Sequence, residues 1–416
     1  MTLLATGVPY AIVASLLTVG QAQALVLAHV RPLGAETVSL WEAAGRVTAE
    51  PLRAAVDVPP FPSSAMDGYA VRADDVPGRL VVVDQVRAGA PVARALAAGE
   101  AMVMSTGGVV PDGADAVAPI EIVGKLDNEI EIERSLEPGA HVRPRGGDVS
   151  AGDIVVPACV RLGAAQLGAA AAAGIPEAIC ARRPRVAILA TGSELVPPGA
   201  TLEAGQIYDS NGLMLATALA ASGAEVETMP AVADDESSHR AALERGLAAD
   251  VLVTTGGVSV GPHDLVRGVE RDLGVEEVFW QVAMRPGKPV SFGVRGATLV
   301  FGLPGNPVSS LVGCELFVKP ALRALQGLER PLPNLESGRL ATALSRNAMR
   351  DDFVRARLRV QPDEGRPGEV LLEPLRGQES HMIVRAAAAD GLVVVPRGEG
   401  ELEAGAAVGW IRLGAG

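Results

Sequence analysis

The residues of this chain that are best suited to chemistry are small and polar, and they cluster around glycine. Residues 254–261 read TTGGVSVG. Glycine has no Cβ, so backbone N–H groups in such a turn can approach a phosphate closely. We therefore predict that the turn at 254–259 binds a phosphate-bearing, nucleotide-like ligand. A plain connection between two elements is the alternative.

Turns of the same kind follow other segments that predict strands. They lie at 191–194 (TGSE), 234–235 (DD) and 304–307 (PGNP). In parallel sheets, ligands bind beyond the carboxyl ends of the strands, and helix N-termini there add partial positive charge. Several such turns on one edge favour a binding site. The chain contains neither the P-loop motif nor the dinucleotide fingerprint, which disfavours a nicotinamide-dependent oxidoreductase.

Carboxylates belong to the same predicted edge, namely Glu194, Asp234, Asp235 and Asp264. Each could simply cap a helix. Beside a phosphate, however, carboxylate oxygens are the ligands that Mg²⁺ takes. We therefore expect Glu194, Asp234 and Asp264 to hold Mg²⁺. His263 is not expected to bind zinc, because no second histidine lies at helical spacing.

A stiff turn at 284–289 (MRPGKP) presents Arg285 and Lys288 together. The formal net charge of the chain is -13. On such an acidic protein, two placed cations predict an anion site, with a solvated surface loop as the alternative. The same net charge argues against a general nucleic-acid binder, because no basic stripe is available to displace counterions.

The cysteines and the first residues bear on where the protein works. Cys159, Cys180 and Cys314 lie far apart without metal-type spacing, which predicts reduced thiols in the cytoplasm. Residues 1–27 are apolar but have no basic start and are interrupted by Pro9. They are therefore expected to be neither an export signal nor a membrane span.

The elements that must position these residues form four groups. Residues 18–50 predict a helix capped by Thr18, a short strand and a second helix, to which an alanine-rich helix at 162–174 returns. Short strands between 69 and 132 predict an inserted all-β module. Alternating strands and helices at 184–326 predict a mostly parallel sheet covered on both faces. Strands return after residue 330 as a small β domain.

Read in order, these segments resemble the molybdopterin molybdenumtransferases, the family of bacterial MoeA and the gephyrin E domain. The matching segments are 64–71 (SAMDGYAV), 105–108 (STGG), 111–117 (PDGADAV), 147–149 (GDV), 191–195 (TGSEL), 209–211 (DSN), 256–261 with Asp264, 286–289 (PGKP), 303–307 (LPGNP) and 380–382 (SHM). They extend over most of the chain in the family's order.

The resemblance implies a MoeA-like multidomain fold of α/β and β parts. A split helical domain would comprise 18–52 and 148–180, and a β domain would be inserted at 53–147. A three-layer α/β domain that binds molybdopterin or adenylate would occupy 181–327. A C-terminal β domain would occupy 331–416. The family forms a homodimer with cross-subunit active sites.

The implied reaction inserts molybdate into adenylylated molybdopterin with Mg²⁺ and releases AMP. By resemblance, the catalytic residues are Asp67, Thr106, Asp148, Glu194, Asp234 and Asp264, of which the first three would serve the partner subunit's site. The implied substrate-binding residues are Ser193, Asp209, Asn211, Gly256, Gly257, Ser259, Arg285, Lys288, Pro304, Asn306, Pro307, Arg350 and Ser380.

The sequence departs from the family at two positions. It has Pro62-Ser63 where the family often has Asp-Asn, and Gln281 where the bacterial enzyme has lysine. The second change leaves Arg285 and Lys288 with more of the cationic contact. A tungstate-preferring homologue, a non-catalytic scaffold of the same fold and a generic adenylyl-binding protein are the alternatives.

Overall fold

The structure is a computed structural model that describes residues 16–90, 93–232, 236–257, 265–363 and 366–414. The described chain divides into two compact units. One is Ala35–Cys180, and the other combines the residues before Ala35 with those from Ala181 onward.

The unit Ala35–Cys180 is built around a six-stranded sheet, as the short strands predicted. In spatial order the strands are Ala116–Pro119, Gly68–Val71, Glu100–Met104, Gly78–Val86, Glu129–Ile132 and Val123–Leu126. Two-stranded pairs join Ser63–Ser64 to Val142–Arg143, Leu52–Arg53 to Ile154–Val156, and Ala35–Ser39 to Glu177–Ala181. The alanine-rich helix is Ala164–Ala172, and short 3₁₀ turns cover Ala73–Asp75 and Ile120–Ile122.

The prediction of a second helix within residues 18–50 is wrong. After the strand Ala35–Ser39 the described chain forms turns. Gly45 has a φ of 72°, which a continuing right-handed helix does not accommodate. Val47 and Thr48 then form isolated bridges to Arg161 and Cys180. Pairing of these two β-branched residues replaces the helix.

A three-layer α/β arrangement dominates the other unit. Its sheet has the order Glu225–Val232, Arg185–Thr191, Val251–Thr255, Thr298–Leu303, Ser291–Arg295 and Glu276–Trp280. The first four strands are parallel; Ser291–Arg295 pairs antiparallel with the fourth, and Glu276–Trp280 pairs antiparallel with Ser291–Arg295. The helices are Val19–His29, Asn211–Ala221, Glu236–Gly246, Leu265–Asp272, Pro307–Gly313 and Lys319–Leu325, with a π-helical segment Cys314–Val318 between the last two. The mostly parallel sheet is therefore confirmed.

Alternate residues of the strand Arg185–Thr191 show how the layers form. Val186 and Ile188 belong to an apolar core with Leu215 of one helix, whereas Leu189 belongs to a second core with Leu243 of another. Side chains of a strand point alternately to opposite faces, so helices cover both sides of the sheet. The carboxyl edge of the parallel strands stays open for a site.

The C-terminal β part closes on itself. Its strands are Glu336–Leu340, Asp351–Asp363, Arg366–Pro374, Gly391–Val395 and Ala407–Arg412, and the fourth pairs with both the second and the fifth. The strand Met284–Arg285 adds to it in parallel beside Asp351 and Asp352. Smaller elements are Leu344–Ser345 paired with Glu401–Leu402, Leu195–Val196 paired with Ile207–Tyr208, and the helix Ile383–Ala386. No helix within the described ranges is long and apolar enough to cross a membrane.

Candidate functional site

A cavity of about 730 Å³ opens at the carboxyl edge of the parallel strands. The predicted site residues that line it are Glu194, Asp209, Asn211, Gly256, Gly257, Pro304, Asn306 and Pro307. Ser193 is exposed and does not line it. The structure thus brings three of the four predicted turns to one cavity. The fourth turn, Asp234 and Asp235, lies outside the described residues, as do Ser259, His263 and Asp264.

The glycine turn at the base of this cavity has no room for a side chain. Gly256 and Gly257 have φ values of 92° and 62°. A Cβ on Gly256 would lie 2.6 Å from the carbonyl oxygen of Thr191, on the neighbouring strand. The backbone N–H of Gly256 also donates to the carbonyl of Leu303 at 3.1 Å. Glycine at 256 therefore lets three strand ends meet closely.

Asn211 ties the walls of the cavity together. Its Nδ2 donates to Oγ1 of Thr255 at 2.9 Å and to the carbonyl of Gly305 at 2.8 Å. Oγ1 of Thr255 lies 3.2 Å from Oγ of Ser310. Oδ1 of Asn211 is buried and has no hydrogen-bond partner among the described residues. The amide nitrogen of Asn211 thus holds the cavity wall and is not free for a substrate.

Asp209 acts at the start of the same helix. Its Oδ1 accepts a hydrogen bond from the backbone N–H of Gly212 at 2.9 Å. A carboxylate at a helix start satisfies an otherwise unpaired N–H. Asp209 therefore caps this helix, and it also lines the cavity.

A second cavity, of about 830 Å³, adjoins the first. It gathers Arg285 and Lys288, which the sequence predicted as an anion site, with Arg350 and Ser380, which the resemblance implied as substrate-binding residues. The residues common to both cavities are Pro289, Pro304, Asn306 and His381. Two guanidinium groups and one ammonium group around one cavity suit a small oxyanion.

Asp352 is a member of the second cavity that the sequence did not indicate. It is 2% exposed, and its Oδ2 accepts a hydrogen bond from Nη2 of Arg285. Burial raises the pKa of the Asp352 carboxyl, while the neighbouring Arg285 guanidinium opposes that rise. Arg285 and Asp352 are also opposite each other in the strand pair. Together these contacts fix Arg285 against the C-terminal sheet.

The predicted metal site is only partly within the described residues. Of its three expected ligands, Glu194 alone is described, and it is exposed at the first cavity. Within the described ranges, no group of three or more His, Cys, Asp or Glu side chains is placed to hold a metal ion. Mg²⁺ is commonly bound by one or two carboxylates together with substrate phosphates, and the other two expected carboxylates lie outside the described residues. The Mg²⁺ expectation therefore depends on Asp234 and Asp264.

The unit Ala35–Cys180 carries the remaining predicted residues. Oδ1 of Asp67 accepts hydrogen bonds from the backbone N–H and the Oγ1 of Thr106, at 2.7 and 3.1 Å. These two residues therefore form one exposed cluster. Asp148 is exposed, and its backbone N–H donates to the carbonyl of Val58 at 2.9 Å. The structure brings Asp67 and Thr106 together by these hydrogen bonds.

Family models match the chain in three consecutive stretches. The model described as "MoeA N-terminal region (domain I and II)" matches residues 17–174. The "Probable molybdopterin binding domain" model matches residues 187–324, and the "MoeA C-terminal region (domain IV)" model matches residues 337–413. The matched stretches include both cavities and the Asp67–Thr106 cluster.

Named relatives align over almost the whole chain. Molybdopterin molybdenumtransferase 2 of Mycobacterium tuberculosis H37Rv is 36% identical over 406 residues, which cover 93% of this chain and 97% of the relative. The molybdopterin molybdenumtransferase of Haemophilus influenzae is 33% identical over 399 residues, covering 94% and 98%.

Solved structures of archaeal MoeA proteins have the same fold. One from Pyrococcus horikoshii is 34% identical with a TM-score of 0.78, covering 96% of this chain and 99% of that one. A second from the same organism is 27% identical with a TM-score of 0.82, covering 96% and 100%. The fold predicted from the resemblance is thus confirmed.

Proposed function

The chain belongs to the molybdopterin molybdenumtransferase (MoeA) family, and on that premise we propose that its two adjoining cavities divide the reaction between them. Membership makes the protein a transferase of molybdenum cofactor biosynthesis. The first cavity receives the phosphate-bearing part of adenylylated molybdopterin. The second receives molybdate.

The glycine turn and the strand ends support the assignment of the first cavity. Backbone at Gly256 and Gly257 is open to close approach, because neither residue carries a side chain. The volume of about 730 Å³ suits a ligand larger than an inorganic ion. Glu194, with Asp234 and Asp264, would hold Mg²⁺ at the phosphoanhydride. A bound Mg²⁺ would neutralise negative charge as AMP leaves.

The cations of the second cavity support the assignment of molybdate. Molybdate carries two negative charges, and Arg285, Lys288 and Arg350 line this cavity together. Near a protein surface, two unit charges about 4 Å apart attract by roughly 4 kcal/mol before screening by salt. Ser380 adds a hydroxyl that can donate to an oxyanion.

The common wall is the observation that carries the proposal. Because Pro304, Asn306 and His381 line both cavities, ligands in the two cavities lie side by side. The dithiolene of a pterin held in the first cavity can then reach molybdate in the second without leaving the site.

A cytoplasmic location, expected from the spaced cysteines, stays a prediction.

Turnover tests the proposal directly. The protein is incubated with adenylylated molybdopterin, Mg²⁺ and molybdate, and AMP release and molybdenum cofactor are measured. Loss of a hydrogen bond to a charged group costs about 1.5–3 kcal/mol, so Arg285→Ala or Lys288→Ala should raise the molybdate KM roughly tenfold or more. Arg295→Ala is the matched control, because Arg295 is exposed at the end of a strand.

The opposite results separate the alternatives. AMP release no faster than in Asp264→Ala protein would mean a non-catalytic scaffold. An unchanged molybdate dependence in both cation variants would mean a generic adenylyl-binding protein. Replacing molybdate by tungstate in the same assay decides which oxyanion the second cavity prefers.

A further inference from the structure

Arg355 lies buried beneath the loop 375–382, and its side chain holds that loop through the backbone. The residue is 1% exposed and comes from the strand Asp351–Asp363. Its Nη1 donates to the carbonyl of Met382 at 2.9 Å, and its Nη2 donates to the carbonyl of Gly377 at 2.8 Å. A longer contact of 3.3 Å reaches the carbonyl of Glu379. One guanidinium thus binds the loop at several points.

Gln378 closes a second set of bonds between the loop and the strand. The backbone N–H of Arg355 donates to Oε1 of Gln378 at 3.1 Å. Nε2 of Gln378 donates to the carbonyls of Arg355 and Leu375, at 2.9 and 2.8 Å. The loop is therefore bound to the strand by both a side-chain guanidinium and a side-chain amide.

The loop carries part of the proposed active site. Ser380 lines the second cavity, and His381 lines both cavities. The carbonyl of Ser380 accepts a hydrogen bond of 3.0 Å from the backbone N–H of Val308, at the start of a helix of the α/β sheet layer. The loop is consequently held from two sides, by Arg355 below and by Val308 beside it.

Filling a buried space with a cation costs more free energy than filling it with an apolar side chain. Removing a guanidinium from water costs free energy, and an apolar side chain of similar volume often stabilises a core at least as well. Burial also lowers the pKa of Arg355, whereas the Glu379 carboxylate opposes that change. What an apolar side chain cannot supply is a rigid fork of donors for several carbonyls. The contribution of Arg355 is therefore to loop geometry.

We propose that Arg355 is a positioning residue for molybdenum insertion, which keeps Ser380 in the second cavity and His381 on the wall between the two cavities. The inference rests on the proposed placement of molybdate in the second cavity. Arg355 acts through the loop and does not touch the substrate. Its loss should weaken the use of molybdate more than the use of adenylylated molybdopterin, because Ser380 lines only the second cavity.

The first test compares Arg355→Met, Arg355→Lys and Arg359→Met. Arg359 lies on the same strand but is exposed, where its Nε binds Oε2 of Glu373 at 2.7 Å, so its substitution is the matched control. For Arg355→Met we expect a molybdate KM raised about tenfold, with the KM for adenylylated molybdopterin changed less than about threefold. Arg355→Lys should recover part of the loss, and the control should behave as the unsubstituted protein.

Gly377→Ala disturbs the same loop while leaving the Arg355 side chain in place. Gly377 has a φ of 76°, and a Cβ there would lie 2.7 Å from Sδ of Met382. This variant should also raise the molybdate KM selectively, even if Arg355→Met does not fold. Gly296→Ala is its control, because Gly296 has a φ of 60° but open space around it. Thermal unfolding of every variant is measured in parallel.

The results distinguish this inference from the proposed function. If Lys288→Ala raises the molybdate KM but folded Arg355→Met and Gly377→Ala do not, the inference is wrong and the proposed function stands. An unchanged molybdate KM in both Arg285→Ala and Lys288→Ala would overturn the proposed function and, with it, the inference. Equal increases of the two KM values, in proportion to lost thermal stability, would show a merely structural role and overturn the inference.

Discussion

Asp352 is buried in the wall of the second cavity at a cost to stability. Its Oδ1 has no hydrogen-bond partner among the described residues, and burial raises the pKa of its carboxyl although Arg285 opposes the rise. A carboxyl whose pKa is raised by folding binds its proton more tightly in the folded state. Its contribution to stability is therefore present below the ordinary aspartate pKa and is lost as the pH rises through the folded value.

Replacing Asp352 by asparagine should separate stability from activity. At pH 7 we expect Asp352→Asn to unfold at the same or a higher temperature, because burial destabilises the charged carboxylate more than Arg285 stabilises it and the half-exposed Arg285 stays solvated. The molybdate KM should rise, since Arg285 loses the carboxylate that orients it. The difference in unfolding temperature should disappear below about pH 4, where the aspartate is also protonated. Lower stability at pH 7 with unchanged molybdate dependence would contradict this account.

The individual site residues were predictable to different degrees. Arg285 and Lys288 followed from the composition of their own turn, whereas Arg350 and Ser380 entered only through the family resemblance. Asp352 was missed, because its contact with Arg285 joins distant parts of the chain. A carboxylate two residues after Arg350 was the available signal. The hydrogen bonds of Asn211 Nδ2 to Thr255 and Gly305 also join distant parts of the chain, so the sequence did not predict them.

At the scale of elements, the glycine turn makes a sharp prediction. Gly256→Ala places a Cβ against the carbonyl of Thr191 at a φ of 92°. Strain at such a position is about 1–3 kcal/mol, so the turn should move or the protein should lose stability by that amount. We expect a raised KM for adenylylated molybdopterin and a smaller change in the KM for molybdate. Both are obtained from steady-state AMP release.

Gly274→Ala is the matched control for this change. Gly274 has a φ of 82° but nothing within contact distance of its added Cβ, and it lies outside both cavities. A Gly256→Ala protein that binds adenylylated molybdopterin as well as the control does would remove the glycine turn from the proposed site.

Periodicity predicted elements well where the pattern was long. The strands Arg185–Thr191 and Val251–Thr255 and the helix Val19–His29 lie where the sequence indicated. The antiparallel strands Glu276–Trp280 and Ser291–Arg295 were not foreseen, because they leave the strand–helix alternation on which the prediction depended. The helix predicted before residue 50 does not form, because pairing with distant parts of the chain outweighs the local preference for a helix.

At the scale of the whole molecule, the predicted residues are distributed over two units. Asp67 and Thr106 belong to Ala35–Cys180, whereas both cavities belong to the other unit. We propose that the protein is a homodimer in which the first unit of one subunit serves the cavities of the other. The family resemblance supports this arrangement.

Mixing two impaired variants, assayed with molybdate well below the KM of the Lys288→Ala protein, tests the shared site. Asp67→Ala and Lys288→Ala subunits are expressed separately and together. If two-fold symmetry places the residues in one site across subunits, random assembly should restore about a quarter of the activity, because half of the dimers would contain one intact site of two. No restoration in a verified mixed dimer would place both residues in a site within one subunit. A monomer at micromolar concentration in sedimentation would exclude the arrangement.

The two-residue strand Met284–Arg285 connects the turn at 284–289, which carries Arg285 and Lys288, to the C-terminal sheet. An oxyanion bound by that turn therefore contacts both the α/β part and the C-terminal sheet. By thermodynamic linkage, oxyanion binding stabilises the sheet, and a more stable sheet strengthens oxyanion binding. Molybdate should slow amide hydrogen exchange along Asp351–Asp363 as well as around Lys288, although most of that strand lies beyond the reach of the ion. Conversely, a mutation that destabilises the C-terminal sheet would weaken oxyanion affinity. The stability of that sheet and the selectivity of the second cavity would therefore change together.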